Sequence, residues 1–312
     1  MKDNLVQSRY FNKIMFNKKS NTIIKTSEDE QKLSNEILWY LKLPNELKKY
    51  TPKIIDYSLK KNNIFIELEY IPFLTLSQLL INKQDVDWVF ILQKIKKIHE
   101  IFKGYVSKTE LNSTCFYDMY IKKTRNRLSD YFKQSTIAQK TNEEGLISIN
   151  NQIMKCPLQL LELNKEKIEK LSDISQLTLL HGDLCFSNIM LDPQSNKIKV
   201  IDPRGSFGEV GIFGDNRYDL AKIRHSLNGY EHIINDLFEL RVKAHHIEYN
   251  ILMEPSQVNI LRLWDKENSD LLKEVKLIEA LLFLSMIPLH RDYPNRQLIM
   301  YCHGTSLLNT IF

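Results

Sequence analysis

Glycine is scarce in this chain of 312 residues, with nine in all and none before Gly104. A glycine-rich loop, whose backbone N–H groups can close around phosphates, is therefore excluded from the N-terminal third. Cysteine is scarcer still. Cys115, Cys156, Cys185 and Cys302 stand apart without C-x-x-C spacing, which argues against a zinc site or a disulfide framework and for a reducing compartment. Long hydrophobic runs are missing too: the longest, "ALLFLSMIPL" at 280 to 289, is too short to span a bilayer. The N-terminal "MKDNLVQSRYFNKIMF" lacks the continuous apolar stretch of a signal peptide, so the expected location is the cytoplasm. There is no concentrated basic stripe. The 43 basic and 38 acidic residues leave a net charge of +5 spread along the chain, which suits an anionic ligand and ranks nucleic acid low as a partner.

What is present is enough apolar sequence, 43% of residues, to bury one large core or the cores of two lobes. "KIMF", the polar "NKKSN" and "TIIKTS" read as a β-hairpin. In "SEDEQKLSNEILWYLKLP" the Ser27 to Glu30 spacing suggests a capping box, and Leu33, Ile37 and Leu41 recur at helical intervals before Pro44 stops the run. Two β-like runs follow, "KIIDYSL" and "NIFIELEYI", until Pro72 breaks the pattern. Beyond Leu74 the pattern reads as mostly helical, including the whole of "GLISINNQIMKCPLQLLELNKEKIEKLS" and the stretch from Arg217 to near the end. The exception is 178 to 202, two short strands joined by "PQSNK" and followed by the glycine-bearing loop "PRGSFGEVGIFGDNR". The expectation is an α+β chain, a small β-rich part followed by a larger, mainly helical one.

The most informative stretch is "HGDLCFSNIML" at 181 to 191, read together with "VIDPRG". Phosphoryl transfer needs a carboxylate near the attacking hydroxyl, oxygen ligands for magnesium and a cation on the nucleotide phosphates. Magnesium takes hard oxygen ligands, usually one or two protein carboxylates with phosphate and water completing the shell. Asp183 and Asn188 lie five apart on one loop, and Asp202 ends a strand that a hairpin would return toward them.

"HGDLCFSN" resembles the H-G-D-x-x-x-x-N catalytic loop of the aminoglycoside phosphotransferase and choline kinase group of small-molecule kinases, and "VIDPRG" resembles their metal-binding motif. The resemblance implies a bilobal protein-kinase-like fold, with an N-terminal nucleotide-binding lobe at 1 to 72, a hinge at 69 to 72 and a helical lobe at 73 to 312. It also implies that Asp183 is the catalytic base or hydroxyl-orienting group, that Asn188 and Asp202 hold Mg2+, and that His181 and Asp219 of "RYDLAK" brace the catalytic loop. Lys25 and Glu36 stand in the order of the strand lysine and its helix glutamate, and Glu69, Tyr70 and Ile71 match the hinge that meets the adenine of ATP, or the base of GTP. The "DPRGSFGEVGIFGDNRYDLAK" block looks most like kinase-like proteins found with capsule and surface-polysaccharide enzymes, which suggests a sugar, polyol or amino alcohol acceptor.

Other readings stand beside these. Lys25 could snorkel over a sheet surface, with Glu28 and Glu30 competing with Glu36 for an ion pair. Arg204, Arg217 and Arg224 could read an anionic substrate or only balance Glu209 and Asp215. Tyr117, Asp118 and Tyr120 could instead hold an amine, and His290, Arg291 and Arg296 form a polar run that is either surface loop or substrate contact. Without N-terminal glycines the "NKKSN" turn must cover the phosphates, which keeps open a kinase-shaped, non-catalytic nucleotide-binding scaffold. No oligomeric state follows from the pattern.

Overall fold

A computed structural model describes residues 12–109, 112–244 and 246–312; the expected start of the N-terminal lobe, residues 1 to 11, lies outside the described residues. Strands β1 (Asn12–Asn17) and β2 (Thr22–Ser27) form the expected hairpin, in which Asn17 Oδ1 accepts from the Lys19 N–H at 3.1 Å and Asn21 turns the chain at a φ of 54°. Helix α1 (Glu30–Lys42) begins two residues later than the capping-box spacing suggests. Asp29 caps it through the Lys32 N–H at 3.1 Å, because Ser27 is claimed by strand pairing with Asn12. Strands β3 (Ile54–Lys60) and β4 (Asn63–Glu69) complete an antiparallel sheet of order β1-β2-β4-β3. Leu33, Ile37 and Tyr40 of α1 are buried in the same apolar core as Ile66 of β4.

The short β5 (Leu74–Thr75) leaves this sheet and pairs with a hairpin more than a hundred residues downstream, tying the two parts together. Thr75 then caps α2 (Leu76–Ile81) in a reciprocal box with Gln78. Helix α3 (Trp88–Lys103) follows, and α4 (Thr114–Phe116) passes through a π-helical turn at Tyr117–Lys122 into α5 (Lys123–Phe132).

Helix α6 (Thr136–Glu144) ends at Gly145, at a φ of 76°, and residues expected to be helical form a hairpin of β6 (Leu146–Ile149) and β7 (Gln152–Lys155) before α7 (Pro157–Leu163) and α8 (Lys165–Glu169). Asn150 and Asn151, at φ values of 47° and 64°, make the two-residue turn, and Ile147 and Ile149 face inward at a strand period of two.

Strands β8 (Thr178–Leu179), β9 (Ile189–Asp192) and β10 (Lys197–Val200) surround the loop of interest, with β9 and β10 as the expected hairpin. The glycine-bearing loop contains β11 (Ser206–Phe207), β12 (Glu209–Val210) and β13 (Phe213–Gly214), the last pairing with β8. After α9 (Arg217–His225) and α10 (Glu231–Ile234) a second unexpected hairpin appears, β14 (Phe238–Lys243) and β15 (His246–Ile251), where helix was expected. Phe238 and Leu240 alternate with exposed Glu239 and Arg241, and β15 docks parallel on β6. Helices α11 (Pro255–Glu267), α12 (Leu272–Met286) and α13 (Pro294–Ile311) close the chain. Every residue of α12 from Leu277 to Met286 is buried, packed between α5, α9 and α13. Among the described residues no helix is long and apolar enough to cross a membrane.

Candidate active site

Helix α9 is buried along its whole length although six of its nine residues are ionisable, and all of these but His225 have a polar partner inside the fold. Those partners assemble the site. Asp219 spends both carboxylate oxygens on the loop backbone, accepting from the His181 and Gly182 N–H groups at 2.8 Å each. Burial pushes its carboxyl up to about 6, against the pull of those N–H groups and of His99. Gly182 sits at a φ of 79°, and a Cβ there would come 2.8 Å from Arg204 Cβ, so the loop passes directly beneath Arg204. The Arg204 N–H donates to His181 O at 2.8 Å.

His181 is fully buried with its ring edge-on to Trp39 of α1, and burial lowers it to about 4, so it is a neutral brace. Its Nδ1 accepts from the Asp183 N–H at 3.3 Å, and Trp39 Nε1 donates to Leu180 O at 2.7 Å, so α1 grips the strand leading into the loop. Asp183 then projects its carboxylate toward two donors. Lys222 Nζ meets Oδ1 at 2.7 Å, and Asn188 Nδ2 lies 3.3 Å from Oδ2 and 2.9 Å from the Asp183 carbonyl. Burial works against the Lys222 charge, but Asp183, with Tyr218 and Cys185, together hold the lysine above its ordinary range.

The β9 and β10 hairpin returns as its pattern suggests. The Ile201 N–H donates to Asn188 O at 3.0 Å, and Asp202, at a φ of 56°, turns toward the sheet. Lys25 Nζ of β2 lies between two carboxylates there, 3.0 Å from Asp202 Oδ1 and 2.7 Å from Glu36 Oε2. Glu36, not Glu28 or Glu30, is the glutamate that pairs with it; Glu30 accepts the Asn62 N–H instead. Burial opposes the Lys25 charge, but Asp202 and Glu36 together keep it above the ordinary lysine range. Gly205, at a φ of 65°, packs against the Asn35 carbonyl of α1 where no Cβ would fit.

The other sequence candidates lie elsewhere. In the segment expected to be a hinge, Glu69 Oε2 accepts from the Lys53 N–H at 3.0 Å, the Tyr70 N–H donates to Asn21 O at 3.2 Å with its ring 4.7 Å from Phe16, and Ile71 is buried. Tyr120 donates to Asp215 at 2.8 Å, and Arg217 is buried on the same Asp215 carboxylate, bonding also to Leu171 O. Asp118 pairs with Lys122 one turn along its helix at 2.9 Å. Arg204 reaches Tyr218 Oη at 3.1 Å. His290 stands edge-on to Tyr230, and Arg291 is exposed. Arg224 is consumed by Asp265 and Glu279, and Arg296 by Asp236.

Sequence reading passes over one residue of the site, Lys222, and over Lys123, which donates to the Tyr218 hydroxyl beside it at 3.4 Å. Lys222 was legible in "RYDLAK", three residues after Asp219, where helical spacing puts it on the same side as that aspartate. Lys123 carried no signal. Among the described residues no group of three or more His, Cys, Asp and Glu side chains is placed to hold a metal ion.

No family model matches the sequence, and no curated protein matches it. Solved structures do. One is the aminoglycoside phosphotransferase APH(3'')-Id from Streptomyces rimosus ATCC10970 in complex with ADP and streptomycin, at 14% identity over 88% of this chain and 89% of that one, with a TM-score of 0.49. A second structure of the same enzyme covers 95% of this chain and 89% of its own at 14% identity and a TM-score of 0.44. An aminoglycoside-3'-phosphotransferase of type VIII covers 93% and 85% at 15% identity and a TM-score of 0.39. This chain is similar to each over most of its length.

Proposed function

We propose that this chain is a magnesium-dependent small-molecule kinase that transfers the γ-phosphoryl group of ATP, or of GTP, to a hydroxyl of a sugar, polyol or amino alcohol. The observation that carries this reading is Lys25 held between Glu36 and Asp202, opposite a loop on which Asp183 and Asn188 stand together. That supplies the cation for the triphosphate, the carboxylate for the acceptor and two oxygen ligands from one small space. The nucleotide-binding lobe is residues 1 to 72 and the acceptor lobe 73 to 312. Because the Glu69 N–H already donates to Lys53 O and the Tyr70 N–H to Asn21 O, the N–H that meets the base is that of Ile71.

Asn188 and Asp202 fit a hard cation. The Asn188 amide nitrogen is spent on Asp183, which leaves its carbonyl oxygen for a ligand role, and the Asp202 side chain is 41% exposed with one oxygen on Lys25. Two protein oxygens are what magnesium takes when phosphate and water complete its shell. When bound it neutralises charge on the triphosphate oxygens. Asp183 orients the acceptor hydroxyl and accepts its proton as that oxygen bonds to the γ-phosphorus. The bond from phosphorus to the β,γ-bridging oxygen breaks, and the nucleoside diphosphate leaves. Asp219 keeps the loop backbone in place, and Lys222 fixes which carboxylate oxygen faces the acceptor.

The test is phosphorus NMR of the protein with MgATP and pooled sugars, polyols, choline, ethanolamine and aminoglycosides, beside Asp183→Ala. A new phosphomonoester signal, reduced about 10²- to 10⁴-fold in the folded variant, is expected. Near-normal transfer by the variant removes Asp183 from the mechanism. ATP binding without transfer to any pool favours the non-catalytic scaffold. A role in making surface polysaccharide is the pathway this reading points to, tested by whether a glycan precursor is the acceptor.

A further inference from the structure

We infer that the acceptor carries an anionic group, a carboxylate or a phosphate, received by Lys123 and Arg204 on either side of the Tyr218 hydroxyl; this rests on the kinase reading for the place of the reacting hydroxyl. Nearly every buried cation of this fold is matched internally: Lys25 by Glu36 and Asp202, Arg217 by Asp215, Arg224 by Asp265 and Glu279, Lys222 by Asp183. Half-buried Lys123 and Arg204 are not; they share this with half-buried Lys199, which donates to the Thr51 carbonyl, but unlike it they converge on one hydroxyl. Lys123 Nζ lies 3.4 Å from Tyr218 Oη, and Arg204 Nη1 donates to the same oxygen at 3.1 Å. Both also lie over the Tyr218 ring, with centroid distances of 5.3 Å and 5.9 Å.

Two half-buried cations that share one neutral oxygen repel each other, and neither has a carboxylate within ion-pair distance among the described residues. Burial, then Arg204, Arg127 and Lys222, push the Lys123 ammonium well below its ordinary range, with Asp183 pulling the other way. The crevice on the α12 side of Lys123, lined by Met119, Tyr120, Ile278 and Leu281 among others, has no room for a water molecule. A ligand must therefore come from elsewhere. Arg204 lies over Gly182, next to Asp183, so an anion bridging the two cations sits beside the proposed hydroxyl-orienting carboxylate. Asp183, the carboxylate whose charge does reach Lys123, is paired with Lys222. A polycationic acceptor would meet repulsion here, whereas a hydroxy acid or a sugar phosphate supplies the missing charge.

The experiment keeps binding apart from chemistry. With magnesium and a non-hydrolysable ATP analogue at saturation, thermal shifts are measured for matched probes: glucose against glucuronate, glycerol against glycerol 3-phosphate, inorganic phosphate, and one aminoglycoside. At least one anionic probe is expected to raise the melting temperature where its neutral twin does not. That shift should disappear in both Lys123→Met and Arg204→Gln, corresponding to about 10- to 100-fold weaker binding. The carboxylate and phosphate arms then distinguish the two sources of charge. Lys123→Met guards against misfolding as an explanation, since removing an uncompensated cation should leave the ligand-free protein at least as stable. The inference is overturned if no anionic probe shifts the protein, if the shifts survive both variants, if the aminoglycoside stabilises more than the anions, or if the variants weaken nucleotide binding instead. Exchanging the analogue for MgATP tests the underlying reading separately. Anion binding through Lys123 and Arg204 without Asp183-dependent transfer leaves the anion site standing and removes the kinase, and transfer only to neutral or cationic acceptors does the reverse.

Discussion

Replacing Asp219 by alanine sets two buried terms against each other. The variant strands the His181 and Gly182 N–H groups, each now bonded at 2.8 Å to a carboxylate only 2% exposed. Leaving two buried donors unmade costs ~2 to 6 kcal/mol. Against this, the wild-type carboxyl is raised from 3.8 to about 6 by burial, so holding it ionised above pH 7 already costs about 3 kcal/mol, which alanine relieves. At pH 8 the net loss therefore falls between about −1 and 3 kcal/mol. The pH dependence is sharper. A carboxyl whose folded value is raised contributes stability that is fully present below the unfolded value and is lost as pH rises through about 6. The wild type therefore gains ~1.4 kcal/mol over the variant on going from pH 8 to pH 5. Urea unfolding of both proteins at the two pH values measures this, and a variant whose deficit shrinks at pH 5 would refute the burial argument. Turnover of the variant should fall about 10²-fold even where it stays folded, because the loop carrying Asp183 loses its anchor.

Asp202→Ala should abolish the magnesium dependence of nucleotide binding, read by calorimetry with and without the metal; an unchanged dependence contradicts its ligand role. Lys222→Met frees Asp183 Oδ1 from its 2.7 Å partner and should lower kcat by roughly tenfold or more with little change in the nucleotide KM, as expected for a residue that positions the carboxylate. An equal loss in nucleotide affinity would place Lys222 on the triphosphate instead. His303 is half-buried, with Nδ1 3.0 Å from Tyr249 Oη, and desolvation lowers it to about 4. Its depressed value gives stability present above the unfolded pKa and lost as pH falls, so His303→Gln should flatten the stability profile between pH 6.5 and 4 by ~1.4 kcal/mol per pH unit. An unchanged slope would show that His303 is already protonated in the folded state or stays neutral in both states.

The sequence made the first hairpin, α1, the β3 and β4 pair and the returning β9 and β10 hairpin legible, because each is punctuated by local turn chemistry or by a clean period. It hid β6, β7, β14 and β15. These strands are short and stabilised by one another across a hundred residues, as in the parallel pairing of His246 with Ser148, so no local window contains the whole reason for them. "INNQIM" did hold a two-residue asparagine turn, overridden in the reading by the apolar run around it. At the site, the residues with a spacing signature, Asp183, Asn188, Asp202 and Asp219, were legible, and Lys25 with Glu36 less sharply. The partners of buried charge were not, since whether Arg217 faces a ligand or Asp215 depends on which side of α9 is covered.

In the proposed kinase, the missing N-terminal glycines bear on how a nucleotide would be covered. A glycine loop works by letting backbone N–H groups approach phosphate and by taking positive φ without strain. Here Asn21 takes the positive φ, Asn17 caps the turn by accepting from the Lys19 N–H, and the Asn21 carbonyl is bonded to the Tyr70 N–H of the hinge. The turn is thus fastened at its base, while Lys18 and Lys19 stand exposed at its tip. A loop built in this way can bring side-chain ammonium groups to a triphosphate where a glycine loop brings amides. Its grip on nucleotide should accordingly weaken with ionic strength more steeply than amide contacts would, since exposed charges are screened within about 10 Å at 0.1 M salt.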